Sequence, residues 1–382
     1  MLDHRRYPEL DQLACTVNGR KLYYAGLPWF PRIFPRDLFF SAFLFRDTDF
    51  LRDVLSFAAD QQGRSFNRMS GEEPGKIPHE VPGFIKNIGG EEYSTAFNSC
   101  DNSASFLIGL DLYHGMTGDA AFVQCHREAA LRALDYLFDH LDEALVFWED
   151  PAKSGAERYA QRGTYWKDSK TPGRTDFLPE YPVAYTIVQA MVVAALRSAA
   201  SLANLLELEK ASLLEKAERA RDSLWEQFWD PEREYLSIGR DQQGIIPGLS
   251  SDGLHALYYL EPEDVPQEKL ELIVKNSKPL ETPYGYRTLA EGEQDYSDDS
   301  YHLGSIWPFE QAFIAEAGRK HGTPHLEEIA ARVMDALDDK PPGGYPETLR
   351  WTEGMEHPVQ ANRGCSTQLW TIAAHFYFSS RQ

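Results

Sequence analysis

Apolar residues recur at helical spacing along most of the chain, and the stretches between them are polar loops with turn residues. DLFFSAFLFRDTDFLRDVLSFAADQQ (37–62) predicts two short helices, SASFLIGLDLYHGMTG (103–118) a helix closed by glycine, and DAAFVQCHREAALRALDYLFDHLDEA (119–144) another. PVAYTIVQAMVVAALRSAASLANLL (182–206) is apolar nearly all round, which predicts a buried helix. LEKASLLEKAERARDSLWEQFW (208–229) carries a charged face and predicts a surface one. A short apolar segment (251–260) precedes PEDVPQEKLELIVKN (262–276), and 305–322, 323–339 and 367–380 complete the helical pattern. Strand-like alternation is confined to patches such as the one near 233–240.

Six of these helices begin behind a polar or aromatic loop, near Asp37, Asp101, Tyr181, Asp252, Trp307 and Ser366. The starts recur every roughly 50–80 residues, a helical-hairpin repeat with long loops. Most are apolar and alternate with an amphipathic partner. A polar residue at a helix start is singly an ordinary N-cap; the recurrence predicts an all-α fold, an (α/α)6 toroid. Its inner helices are expected to begin near 37, 101, 182, 252, 306 and 366, with segment 7–16 supplying the last outer helix. A chain of 382 residues defaults to two domains, but a toroid makes one, here from about residue 5 to 380.

The formal net charge of −21 argues against nucleic acid or an anionic membrane as partner, and fits a neutral substrate or simply high solubility. Cys15, Cys100, Cys125 and Cys365 are scattered without metal spacing and read as reduced thiols of a cytoplasmic protein. The N-terminus MLDHRRYPELDQL lacks an apolar signal core, and no run of about 18 apolar residues is present to span a membrane. Aromatic residues make up 13% and many lie in loops, where their faces can stack on sugar rings.

The loops carry Asp37, His79, Glu80, Asp101, Asp168, His302 and Glu347, interleaved with Trp29, Phe30, Trp166, Tyr181, Trp307 and Trp351. No GxSxG, HExxH, Walker or dinucleotide fingerprint accompanies them, and neither a metal nor a cofactor is expected. Acids with tryptophans and no phosphate cradle describe a carbohydrate cleft. Glycosidic cleavage needs a protonated acid at the leaving oxygen and a second carboxylate as nucleophile or base. Asp168, beside Trp166 in GTYWKDSKTPGRTD, suits the acid if aromatic surface raises its pKa, an effect Lys167 would oppose if it points inward. Locally, Asp168 reads equally as an Asx-turn residue and Glu347 in GGYPET as a solvated turn acid.

The ordered set GLPWFPRIFPRD, GKIPHE, CDNSASF, WKDS, GYRTL, SYHLGSIWPFE, YPE and CSTQLW resembles the amylo-α-1,6-glucosidase domain of glycogen debranching enzymes. Glucoamylases and mannosylglycerate-type hydrolases are more distant likenesses. The resemblance implies an inverting exo-glucosidase on an (α/α)6 toroid, with Asp168 as general acid and Glu347 as general base. It implies that Asp37, Asp101 and Arg287 grip the terminal glucose, and that Trp29, Phe30, Trp166 and Trp307 form stacking walls. Arg36, His79, Asn102, Lys167 and His302 join the expected sugar-binding set, and Glu80 is a hydroxyl acceptor or a partner of His79. PRIFPRD is longer and more basic than the family's usual motif, and no transferase half is present, so a short α-glucoside or trimmed branch is the expected substrate. Arg32, Arg36 or Lys167 facing an anionic aglycone would instead indicate a glycosidase for glucosyl- or mannosyl-glycerate. A non-catalytic sugar-binding relative is the alternative from another class, and an epimerase using His79 and His302 a further one.

Overall fold

The computed structural model describes residues 6–338, 344–361 and 364–381. Residue 5, Asp339, Gly343 of the GGYPET loop, and Asn362 and Arg363 of the NRGCSTQ loop therefore lie outside the described residues. The first helices are α1 (Glu9–Leu13), α2 (Pro35–Phe45), α3 (Thr48–Gln61), α4 (Asn102–Thr117), α5 (Ala120–Cys125), α6 (Arg127–His140) and α7 (Thr186–Ser201). They are followed by α8 (Ala203–Leu206), α9 (Lys210–Gln227), α10 (Asp252–Ala256), α11 (Gln267–Asn276) and α12 (Pro308–Lys320). The last are α13 (Pro324–Ala331), α14 (Val333–Asp338) and α15 (Leu369–Ser379).

Helices α2, α4, α7, α10, α12 and α15 pack in that order, each on the next, and α15 packs back on α2. Their starts fall within about four residues of the expected ones. Every residue of α2 is buried, and α7 is buried nearly all round, because both are flanked by helices on several sides. The partners are one-sided. In α9 the buried positions are Leu213, Ala217, Ala220, Ser223 and Leu224, a stripe at helical spacing that faces α7. Helix α3 packs on α2 and α4, α6 on α4, and α13 on α12. One cluster of buried apolar side chains extends from Tyr7 to Phe378.

Local chemistry sets the ends. Pro35 and Pro308 open α2 and α12 at positions where the missing N–H has no partner to lose. The Asp47 side chain accepts from Phe50 N to start α3, and Gly118, at φ 68°, closes α4. The single helix expected over 119–144 is broken at His126, which has φ −101° and ψ 8°, and 323–339 divides into α13 and α14. Segment 7–16 contains only the five-residue α1 before a strand (Ala14–Val17), yet Tyr7 reaches α15, its hydroxyl 3.0 Å from His375 Nδ1.

The purely α expectation needs correction. Short antiparallel ladders stand at the helix starts: Gly26–Leu27 with Thr367–Gln368 before α2 and α15, and Ala184–Tyr185 with Gly239–Asp241 before α7. Runs of two to four residues are too short to show a two-residue period, so the sequence pattern does not reveal them. They fix the loops that carry the site. Cys15, Cys100, Cys125 and Cys365 are free, and among the described residues no helix is long and apolar enough to cross a membrane.

Candidate active site

One cavity of about 480 Å³ gathers residues from loops separated by more than 300 positions. Of the sequence-predicted set, Trp29, Phe30, Arg32, Arg36, Asp37, His79, Glu80, Trp166, Asp168, His302, Trp307 and Glu347 line it. Asp101, Asn102, Lys167 and Arg287 do not.

Those four are buried elsewhere, each bonded to other protein groups, although Asn102 Oδ1 and Arg287 Nε have no partner. Asp101 precedes α4 but makes no side-chain cap; its carboxylate accepts from Arg36 Nε at 2.8 Å, Arg36 Nη2 at 3.1 Å and Ser99 Oγ at 2.7 Å. It therefore holds Arg36 in a fork and presents that guanidinium to the cavity. Asn102 Nδ2 donates to Pro78 O at 2.7 Å, tying α4 to the loop of His79 and Glu80. Lys167 turns away to Asp252 Oδ2 at 2.7 Å, Ser251 Oγ at 2.8 Å and Ser250 Oγ at 2.9 Å. Trp166 and Asp168 therefore share the cavity, and Lys167, its ammonium 4.9 Å from the Trp166 ring centroid, does not line it. Arg287 gives its Nη1 to Tyr296 Oη at 2.6 Å and Glu291 Oε2 at 2.9 Å. Tyr181 and Trp351 also lie off the cavity.

Asp168 is 19% exposed, and its contacts are to side chains: Oδ2 lies 3.3 Å from His79 Nε2 and 3.5 Å from Arg36 Nη1. Burial pushes its pKa up, but the His79 contact and the positive groups around it, Arg36 among them, more than offset this, leaving it below the usual carboxylate value. His302 is itself pushed down to about 3 by burial, so near neutral pH it carries no charge and Arg36 is the standing cation. Ser169 N lies 3.3 Å from His302 Nδ1 and donates to it, which leaves the ring hydrogen on Nε2.

Glu347 is buried, not solvated. Tyr301 Oη donates to its Oε1 at 2.6 Å and Cys365 N to its Oε2 at 2.8 Å. Burial nevertheless raises its pKa to about 7, against the pull of those two donors. Asp37, in the first turn of α2, accepts from Gln368 Nε2 at 3.0 Å. Burial and then the Glu347 charge raise its carboxyl well above the usual range. Three carboxyl groups thus share one space with different proton affinities.

Trp166 and Trp307 form walls, their ring centroids 5.4 Å apart, and Trp370 adds a third indole 5.5 Å from Trp307. His302 stacks on Trp307 at 4.9 Å. Several lining residues keep polar atoms without a protein partner, among them His79 Nδ1, Trp166 Nε1, His302 Nε2, Gln368 Oε1 and Trp370 Nε1. Buried polar groups are normally paired, and a ligand rich in hydroxyls supplies both donors and acceptors. Arg32 and Lys86 add positive charge. Arg32 Nη1 meets Glu80 Oε2 at 3.3 Å, and Lys86 Nζ meets Gln161 Oε1 at 2.8 Å. Glu80 also accepts the Thr95 hydroxyl.

Tyr301, Gln368 and Trp370 were not among the sequence-predicted residues, although SYHLGSIWPFE and CSTQLW contain them. Tyr301 adjoins His302 in the sequence, and for Gln368 and Trp370 the available signal was their place in CSTQLW. Phe84, Lys86, Thr95 and Gln161 line the cavity from segments with no chemical signature of their own.

A family model, the mannosylglycerate hydrolase MGH1-like glycoside hydrolase domain, matches residues 36–349 and so spans Arg36, Asp37, His79, Asp168 and Glu347. The chain belongs to this family. It therefore carries a glycoside hydrolase domain, and what was read as a more distant likeness is the matching one. The amylo-α-1,6-glucosidase specificity and glycogen debranching find no support in these comparisons. Similar solved structures include the GH63 mannosylglycerate hydrolase from Thermus thermophilus in complex with Tris and D-glycerate, 14% identical over 98% of both chains, TM-score 0.68. Its complex with glucose gives 13% identity over 98% of both chains and TM-score 0.69. A rhamnosidase from Klebsiella oxytoca with rhamnose bound is 14% identical over 94% of this chain and 60% of that one, TM-score 0.61. At these identities the likeness is one of fold. The comparison with curated protein sequences returns no match.

Proposed function

We propose that this MGH1-like domain hydrolyses small α-glycosides with an acidic aglycone, of the glucosyl- or mannosyl-glycerate type, as one cytoplasmic (α/α)6 catalytic domain over about residues 5–380. The observation that carries this reading is a single cavity combining Asp168, Glu347 and Asp37 with indole walls and the cations Arg32 and Lys86. An acidic aglycone offers those cations a carboxylate, which a neutral glucan lacks. A protein of net charge −21 needs local positive charge to take in an acid.

In the proposed reaction the Glu347 carboxylate takes a proton from water as the water oxygen bonds to the anomeric carbon. Asp168 gives its proton to the glycosidic oxygen, which leaves with the bonding electrons as the aglycone hydroxyl. The sugar is released with inverted configuration. Two donors aimed at Glu347 favour its ionised form as base. Asp168 is the less buried of the two, and loses water contact when sugar fills the cavity, which raises its pKa toward that of an acid.

The order of proton affinities in the empty cavity favours a second reading, with the roles exchanged: Glu347 holds its proton up to about 7, while Asp168 is ionised. Leaving-group dependence separates them. If Asp168 is the acid, Asp168→Asn is rescued by glycosyl fluorides and Glu347→Gln is not. The opposite rescue assigns the opposite roles. A panel of glycosylglycerates and neutral α-glucosides, followed by proton NMR of the first-released anomer, tests the activity itself. Turnover restricted to neutral α-1,6-glucosides would overturn the acidic-aglycone reading.

A further inference from the structure

The cavity changes character from floor to mouth. Asp37, Glu347, Trp166, Trp307 and His302 are buried, whereas Trp29 and Phe84 line the same space while 64% and 53% exposed. Neither exposed ring belongs to the hydrophobic cluster that holds the helices together. Both are nevertheless held out by well-fixed backbone. Phe30 N donates to Gly26 O at 2.9 Å, closing a tight turn that carries Trp29 at its tip. Phe84 N donates to Thr95 Oγ1 at 2.7 Å, and Arg32 covers its ring with the guanidinium 4.2 Å from the centroid. Arg32 is in turn held by Glu80. Trp29 was expected as a wall for the terminal sugar, but its exposure puts it at the mouth, where the leaving group lies under the hydrolase reading above.

Building on the hydrolase reading above, we propose that Trp29 and Phe84 form a platform for a sugar ring in the aglycone. The preferred substrate then carries a further pyranose between the scissile bond and the acid, instead of the bare three-carbon acid. Pyranose C–H faces pack on aromatic rings, and rings held rigidly lose little freedom on binding. A cavity of about 480 Å³ lies in the range that encloses a ligand of more than one ring. The acid group at the far end remains within the field of Arg32 and Lys86.

The test compares kcat/KM for a glycosylglycerate and for the same compound extended by one glucosyl ring between the scissile bond and the glycerate. The extended compound is expected to be favoured about tenfold. Trp29→Ala and Phe84→Ala should each reduce its kcat/KM several-fold more than that of the short one, and Trp29→Tyr should restore most of the difference. Equal losses on both substrates, or a preference for the short one, would overturn the platform. Calorimetric titration of Asp168→Asn with both compounds separates this proposal from the hydrolase reading. A Trp29-dependent preference in binding without turnover by the native protein sustains the platform and ends the hydrolase reading. Turnover of both compounds without dependence on Trp29 does the reverse.

Discussion

Lys76 and Arg36 are both buried cations beside carboxylates, but their neighbourhoods are finished to different degrees. Lys76 Nζ meets Glu149 Oε1 at 2.8 Å, Glu73 Oε1 at 3.3 Å and Tyr159 Oη at 3.3 Å. Tyr136 donates to the other oxygen of Glu149 at 3.1 Å. His140 bridges Glu73 at 2.9 Å and Trp148 O at 2.7 Å. None of these side-chain atoms is left without a partner. Around Arg36 and Asp168, by contrast, His79, His302, Trp166 and Gln368 keep unpaired polar atoms beside open volume. The first cluster uses its polarity to join loop to helix, and the second holds its polarity in reserve for a ligand. Residue type alone does not distinguish them; hydrogen-bond closure does.

The sharpest way to break this contrast is to remove one carboxylate from each cluster. Asp168→Asn should reduce turnover of an unactivated glycoside by about 10³-fold, within the range for a lost general acid, with thermal unfolding nearly unchanged. Near-native turnover would place the acid elsewhere, with Asp37 the next candidate. Glu149→Ala should do the opposite. It leaves Lys76 undercompensated in the interior and should cost about 3–5 kcal/mol of stability, read from denaturant midpoints. The protein that remains folded should keep its kcat.

Glu347 offers a subtler separation. Its folded-state pKa of about 7 lies above the ordinary 4.5, so between those values the folded state binds more protons than the unfolded one. Stability attributable to this group therefore falls as pH rises through that window, and the whole cost is present above pH 7. Glu347→Gln should abolish hydrolysis yet stabilise the fold at pH 8 by up to about 3 kcal/mol, with the gain vanishing below pH 4.5. An equal effect at both pH values would mean that Glu347 is not held at a cost.

The smallest expected effect is on the pH dependence of kcat/KM. Hydrolysis needs one proton on the Asp168–Glu347 pair under either assignment of roles, so the profile is bell-shaped. Its alkaline limb lies near the Glu347 value of about 7. Tyr301→Phe removes an O–H that favours the carboxylate and should move that limb upward by up to about one unit. A limb that stays in place would make Tyr301 a packing residue only.

The helical plan was legible from the chain. The apolar run of 182–206 and the charged face of 208–229 place α7 inside and α9 outside, because burial on one side or all round leaves a periodic record. The loops bearing Asp37, Asp168 and Glu347 could be singled out by their residue types, and one cavity unites them. Side-chain direction left no such record. Lys167 and Asp168 are neighbours in sequence and face opposite partners, and Asp101 reads as a helix cap but braces Arg36. The two-residue ladders were hidden because so short a run has no period. Hydrogen-bond closure, burial at Glu347 and the exposure of Trp29 depend on contacts made by distant segments. Composition and spacing determined which helices pair and which loops carry acids; the tertiary structure alone decided which of those acids, cations and rings face one another, since each such contact is set by geometry across hundreds of residues.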